Sequence, residues 1–215
     1  MSNRERILEA SLRLMNDEGA PAAGTSRIAQ MLGISPGNLY YHFRNREEIV
    51  RALFESLDAD FRAMMTQDIV QPISSSRFAA FYLRSFDVAW RYRFFFGGLQ
   101  HLLRQDEELA EAYRGLQSWA IDALERIVRQ LVRDGSMIRP QGRGGFRSLA
   151  LNTWLIWMNW VRFVQISGRA EVRRSDMIAG VNQIFDLLVP YLDANFAARA
   201  RRVLSRDLYH AQQAD

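Results

Sequence analysis

A chain of 215 residues, 48% hydrophobic and 24% charged, has the balance of one folded domain or two small ones, with too much apolar surface to be mainly disordered. It contains no cysteine, which excludes disulfide frameworks, thiolate zinc sites, iron–sulfur clusters and a cysteine nucleophile, and suits a reducing cytoplasm. The net charge is only +4, yet all 28 basic residues are arginine and the isoelectric point is about 9.8, a balance that permits nucleic-acid binding without proving it.

Nearly every segment has helical period. Ser2 and Glu5 have the spacing of a capping box, and behind them Ile7, Leu8, Ser11, Leu12, Leu14 and Met15 form one stripe ending at Gly19. Ala20 to Gly24 reads as a loop, and Thr25 as the N-cap of a short helix from Ser26 to Leu32 that Gly33 stops. Ser35 and Pro36 are the N-cap and first-turn pair of a helix to about Phe43. Asn45 and Glu48 repeat the capping-box spacing and open a long helix whose inward face is Val50, Leu53, Phe54, Leu57, Phe61, Met64 and Met65. After a break at Gln71 to Ser76, a helix carries Phe78, Phe81, Tyr82, Phe86, Ala89 and Trp90 on one side. Arg91-Tyr92-Arg93 interrupts it, and an aromatic helix follows through Leu103. Asp106 starts a long amphipathic helix that stops at Asp134-Gly135. A loop rich in Gly and Arg leads to helices over about Phe146–Ser167 and Ser175–Leu192, the second kinked by Pro190. Asn195 to His210 is helical again, with Arg199, Arg201, Arg202 and Arg206, and Gln212 to Asp215 is expected to fray. The fold class is therefore all-α, about ten helices, and the change in composition near Arg46 divides it into residues 1–46 and 47–215.

No targeting segment is expected, since Met1 to Arg6 lacks an apolar core. Leu149 to Ile166 is the most apolar stretch, but Asn152, Asn159, Arg162 and Gln165 make it a buried helix and not a membrane span.

Two short helices joined by a tight turn at Gly33 match a helix-turn-helix. Ala29 is small where the helices cross, and Ile28, Leu32, Ile34, Leu39 and Phe43 make a little core with the first helix. Ser35, Gly37, Asn38, Tyr41, His42 and Arg44 remain outside, on a helix short enough to enter a major groove. From Gly19 to Arg46 there are three arginines, Arg27, Arg44 and Arg46, and no acid, which suits contact with phosphates. The two helix N-termini add free backbone N–H groups that favour an anion.

The run Gly33-Ile34-Ser35-Pro36-Gly37-Asn38-Leu39-Tyr40-Tyr41-His42-Phe43, followed by Asn45-Arg46-Glu47-Glu48-Ile49, resembles the DNA-binding domain of the TetR family of bacterial transcriptional regulators over about residues 4–55. The resemblance implies that Thr25 donates to phosphate and that Pro36, Gly37 and Asn38 face base edges. It implies that Tyr41 and His42 grip the backbone, with Tyr40 half buried. Arg46 stands where the family usually has lysine and would bind phosphate. Ser26 stands where some members have a longer base-reading side chain. With Ser26, Pro36 and Gly37 all short, operator choice is expected to lean on Asn38 and DNA shape.

The resemblance also implies that residues from about 47 onward bind a small effector and form a homodimer through the last long helices. A palindromic operator, release by a small apolar or aromatic molecule, and usually repression follow from it. The stretch from Tyr92 to Leu109 is similar to a C-terminal subtype of the family. From the residues alone, Trp154, Trp157 and Trp160 sweep more than one helix face, so their helix is either deep core, or an interface helix, or one that lines both interface and pocket. Trp90, Phe94, Phe95 and Trp119, with Trp154, Trp157, Met158 and Phe163, are candidates to enclose an effector, and core packing accounts for each singly. His101, Asn159 or Arg162 are candidate polar anchors.

An enzyme is not expected. His42, His101 and His210 are far apart, no nucleotide-binding glycine loop or zinc-ligand pair occurs, and Glu47-Glu48 and Glu107-Glu108 point to different helix faces. No cofactor and no metal is expected. The remaining alternative is a helical DNA-binding or interaction module without an effector.

Overall fold

The computed structural model describes residues 2–67, 72–168 and 172–212, with side chains excluded for Gln67 and for 207–212. The start of the break at Gln71, the His210 side chain and the fraying expected from Gln213 onward lie outside the described residues, while Gln212, also expected to fray, is helical. Among the described residues ten α-helices follow in order: α1 Asn3–Glu18, α2 Thr25–Leu32, α3 Pro36–His42, α4 Arg46–Gln67, α5 Ser75–Arg91, α6 Arg93–Gln105, α7 Glu107–Arg133, α8 Gly145–Ile166, α9 Arg174–Leu188 and α10 Ala194–Gln212. Among the described residues there is no strand, only an isolated bridge between Met137 and Leu192.

The helix ends follow local chemistry. The Ser2 hydroxyl accepts from the Glu5 N–H at 3.2 Å while the Glu5 carboxylate accepts from the Ser2 N–H at 2.8 Å, closing the expected capping box. Asn45 caps the Glu48 N–H at 2.8 Å, but Glu48 reaches back to the Arg44 N–H, one residue earlier than a full box requires. Asp106 caps α7 through the Leu109 N–H at 3.1 Å.

Three sequence expectations shift. Gly24 is the N-cap of α2, and Thr25 is its first helical residue. The loop after Gly19 contains a 3₁₀ turn, Ala20–Ala22, that Pro21 favours. Pro190 does not kink α9. It lacks the N–H that the next helical turn needs, so α9 stops at Leu188 and a 3₁₀ turn, Val189–Tyr191, follows.

One apolar cluster runs from Ile7 to Leu204. The predicted inward face of α4, Val50 to Met65, is buried throughout. Helix α7 packs on α8, α8 on α9, and α10 on α5, while α1 touches α2, α4 and α6. The α8–α9 contact is close at Gly180, where a Cβ would lie 2.5 Å from Trp160 Cδ1. Trp160 cannot yield readily, because its indole N–H donates to the Asp176 carbonyl at 2.7 Å. Gly180→Ala is therefore expected to destabilise, despite alanine's better helix propensity. Overpacking costs about 1–3 kcal/mol against a gain of about 1. A thermal melt should fall by several degrees; an unchanged or raised midpoint would show that Trp160 moves freely.

Candidate functional site

Helices α2 and α3 are joined by Gly33, whose φ of 63° is left-handed and open to glycine at no steric cost. The Ser35 hydroxyl accepts from the Asn38 N–H at 3.2 Å and starts α3. Ile28, Leu39 and Phe43 are buried, and Leu32 and Ile34 are partly buried against the same cluster. Anchoring that side leaves Ser35, Pro36, Gly37, Asn38, Tyr40, Tyr41 and Arg44 exposed, with His42 half-buried. Tyr41 is 86% exposed and meets the His42 ring edge-on at 5.1 Å. A tyrosine held out this far contributes little to the packing of the fold. The Tyr40 and Thr25 hydroxyls lie 3.5 Å apart and tie the start of α2 to α3.

The charge distribution differs from the linear sequence. Arg27 forms a two-pronged ion pair with Glu18 at 2.6 and 2.8 Å, and Ser26 beside it is exposed. Arg46 contacts Glu47 at 3.0 Å and the Gln105 amide oxygen at 3.4 Å. The strip that is acid-free in sequence is thus bordered in space by Glu18, Glu47 and Glu48. An exposed pair such as Arg27–Glu18 is worth about 0–1 kcal/mol, so a phosphate can take Arg27 from its carboxylate at little cost, while the Arg46–Glu47 pair is partly buried.

The surface is wired to the rest of the molecule through Asn16, Asp17 and Arg51, which no sequence pattern singles out, and through Arg93 and Asp106, which the sequence marked only as a helix break and a helix start. The Asn16 side chain donates to the Arg91 carbonyl at 2.8 Å and accepts from the Phe94 N–H at 3.0 Å, joining the end of α1 to the α5–α6 corner. Arg93 pairs with Asp17 at 3.1 Å and lies over the Trp90 ring at 4.4 Å. Burial lowers the pKa of Arg93, and Asp17 opposes that. Arg51 of α4 pairs with the buried Asp106 at 2.8 Å. Beside these contacts a cleft of about 820 Å³ opens between α1, α6 and α8, with Phe94, Gly97, His101 and Gln165 in its wall.

The predicted effector residues do not enclose one cavity. Trp154 and Trp157 come together, 5.6 Å between rings, around Phe61. They line a cavity of only about 20 Å³ with Met64, Met65 and Tyr82. Phe95 packs between Phe54 and Tyr113, and the Tyr113 hydroxyl donates to the Met158 sulfur. Trp119 lies under Arg62 at 4.4 Å, and Trp90 under Arg93. Phe94 and His101 belong to the polar cleft instead. Phe163 is 54% exposed against Trp160, because nine residues from Trp154 is about half a turn out of phase on a helix. None of the expected polar anchors lines the small cavity. His101 is exposed, Asn159 is exposed and bonds the Leu155 carbonyl, and Arg162 bonds Gln100. Tyr82, Phe61, Met64 and Met65 were legible only as inward-facing residues, since periodicity does not separate a lining side chain from a packed one.

Residues 7–53 match a family model described as "Bacterial regulatory proteins, tetR family", and residues 53–199 match one described as "Bacterial transcriptional repressor". The chain is similar to the HTH-type transcriptional regulator TtgR of Pseudomonas putida, 35% identical over 78 residues, 34% of this chain and 37% of that one. It is similar to the class C tetracycline repressor protein of Escherichia coli, 37% identical over 54 residues, 25% of each chain. These matches span about a third or less of the length of the curated relatives. Among solved structures, a TetR-family transcriptional regulator from Marinobacter aquaeolei VT8 superposes with a TM-score of 0.84 and 32% identity, over 96% of this chain and 98% of that one. The SmeT–triclosan complex shares the fold, with a TM-score of 0.62 and 15% identity over 90% and 93%. With family models matching from residue 7 to residue 199, the chain belongs to the TetR family of bacterial transcriptional regulators.

Proposed function

We propose that the chain is a ligand-responsive repressor that binds a palindromic operator as a homodimer and is released by a small, largely apolar or aromatic effector. The observation that carries the reading is the outward face of α3, with Tyr41 almost wholly exposed on a helix anchored from behind by Leu39 and Phe43. Pro36, Gly37 and Asn38 meet base edges at the front of α3. Tyr41, His42, Thr25, Ser26 and Ser35 meet the sugar–phosphate backbone, and Arg27, Arg44 and Arg46 meet phosphates. Tyr40 braces α3 against Thr25. Residues 1–46 act as the DNA-binding part and 47–215 as the effector-binding and dimerisation part.

A second copy of the chain is the expected cover for α8 and α9. Leu151, Leu155, Phe163 and Ile166 are 38–75% exposed on α8, a larger apolar stripe than a solitary surface helix needs. Pairing there would set two α3 helices about 34–36 Å apart or somewhat more, in successive major grooves. Leu155→Arg is expected to give a monomer by light scattering and to cost operator affinity about 100-fold or more, since a half-site holds only half the contacts. A dimer of unchanged strength would exclude this face.

The names of the relatives support an effector: the tetracycline repressor, and SmeT with triclosan. A ligand acts only if it binds the DNA-competent and released states with different affinity. The link from α6 to α1 through Asn16 and Arg93, and from the start of α7 to α4 through Arg51, supplies a route for that difference. The smallness of the interior cavity favours a second reading, a DNA-binding module without an effector. Mobility of palindromic upstream DNA, with and without a small-molecule extract of cells, separates the two. Release by the extract supports the repressor reading, an unaffected complex supports the module, and no complex at low salt overturns both.

A further inference from the structure

The small cavity among α4, α5, α7, α8 and α9 has one chemically unusual feature. Its wall is apolar apart from Tyr82, Ser85, Thr153 and the two indoles, and among the described residues no charged side chain lines it. Most of its donors are committed. The Ser85 hydroxyl donates to the Tyr82 carbonyl at 2.7 Å, the Thr153 hydroxyl to the Leu149 carbonyl at 2.9 Å, and the Trp157 indole to the Ser85 carbonyl at 3.3 Å. The Trp154 indole is not among them. It is 1% exposed, and its Nε1–H has no acceptor among the described residues. A buried donor without a partner is costly, so a position that keeps one calls for an acceptor supplied from elsewhere.

The geometry points to Trp154 as the anchor of the effector: its Nε1–H donates to an oxygen acceptor, such as a ketone, ester or ether, on a neutral and largely aromatic ligand. This rests on the reading of the chain as an effector-responsive regulator and names the ligand chemistry of that site. Neutrality follows from the wall, which offers a bound charge no counter-charge. Aromatic character follows from Phe61, Trp154 and Trp157, whose rings lie 4.9–5.8 Å apart and present both faces and edges. At about 20 Å³ the cavity holds about one water, so a ligand must enlarge it. Met64 and Met65 are the side chains that can yield, being unbranched and adaptable. Met65 also lines an outer cleft of about 280 Å³ between α4 and α7, beside Trp119 and Arg126. Met65 is thus the one side chain that borders both cleft and cavity among their lining residues, and the place where a ligand would pass from one to the other.

The test uses the full chain and a matched pair of probes, 2-acetylnaphthalene, which carries a ketone, and 2-isopropylnaphthalene, which does not. Binding is followed by tryptophan fluorescence, and the Trp154 indole N–H resonance by ¹H–¹⁵N NMR, assigned through its contacts with the Phe61 and Trp157 rings. The ketone is expected to bind about 10-fold more tightly than the hydrocarbon and to move the Trp154 resonance downfield. In Trp154→Phe that preference should vanish, the two probes binding with equal affinity whatever the variant's common affinity for them. The NMR shift in the wild-type chain stands even if the variant folds poorly. Equal affinity for the two probes, an unmoved Trp154 resonance at saturation, or no binding of either probe, as expected of a cavity that holds only water, would each overturn the assignment. Ketone binding at Trp154 without release of operator DNA would instead leave the assignment standing and count against the repressor reading.

Discussion

Tyr41→Ala combined with His42→Ala is expected to lower affinity for duplex DNA about 100-fold or more, and by the same factor on operator and unrelated sequence. Hydrogen bonds to charged groups are worth about 1.5–3 kcal/mol each, so two phosphate contacts account for about 3 kcal/mol at the least, which makes about 100-fold the lower bound. Tyr41 is 86% exposed, so its removal should leave helical content and melting temperature nearly unchanged. Asn38→Ala should behave differently. Asn38 is exposed at the front of α3, and removing its hydrogen bonds to a base edge costs about 1–3 kcal/mol at one operator position and little elsewhere. Competition binding of both variants against operator and random duplexes checks the pair. If the tyrosine–histidine variant lost sequence discrimination but kept its non-specific affinity, the assignment of backbone and base contacts would be reversed.

Alkaline pH is expected to unfold the protein through a small set of buried tyrosines. The chain has no lysine and no cysteine, so tyrosine dominates titration near pH 10. Burial pushes the hydroxyls of Tyr82, Tyr92 and Tyr113 above their ordinary pKa of 10.0; for Tyr92 the Asp60 carboxylate, 2.7 Å away, adds to the effect. Raised folded values mean that the native state holds these protons after the unfolded chain has released them. Stability is therefore intact below about pH 10 and is lost as the pH rises beyond it. Three such groups together cost about 4 kcal/mol by pH 11, a large part of a typical folding free energy. Chemical denaturation at pH 8 and pH 11, with tyrosinate absorbance followed in parallel, should show three of the seven tyrosines ionising only as the helices melt. Ionisation of all seven with the helices intact would contradict the burial of these side chains.

The helices were legible because their ends are chosen by neighbours a few residues away. Ser2 with Glu5, Ser35 with Pro36 and Asp106 with Leu109 need no distant partner, so spacing alone locates them. The buried faces of α4 and α5 were legible for the same reason, since a period of 3.6 residues sorts apolar from polar side chains along one helix. The outward set on α3 was read as what remains after Leu39 and Phe43 turn inward.

What the period leaves open is which face meets which neighbour. Gly19 to Arg46 carries no acid along the chain, yet Glu18 comes round to hold Arg27, because the end of α1 packs beside α2. The aromatic candidates resembled one another as a set of residue types. Packing sent Trp154 and Trp157 to the interior cavity, Phe94 to the polar cleft and Phe163 to the outside. Asn16 drew no notice as one polar residue near a helix end, and only the approach of α6 makes it a double link. By itself, then, the order of residues determined helix class, most of the helix starts and the outward surface of α3, since these depend on interactions within about four positions, while the ends of α2 and α9 came out shifted from the expected ones. Tertiary structure alone decided the charge pairing of that surface, its connection to the body of the protein and the lone indole donor of Trp154, since each depends on contacts between helices distant in sequence.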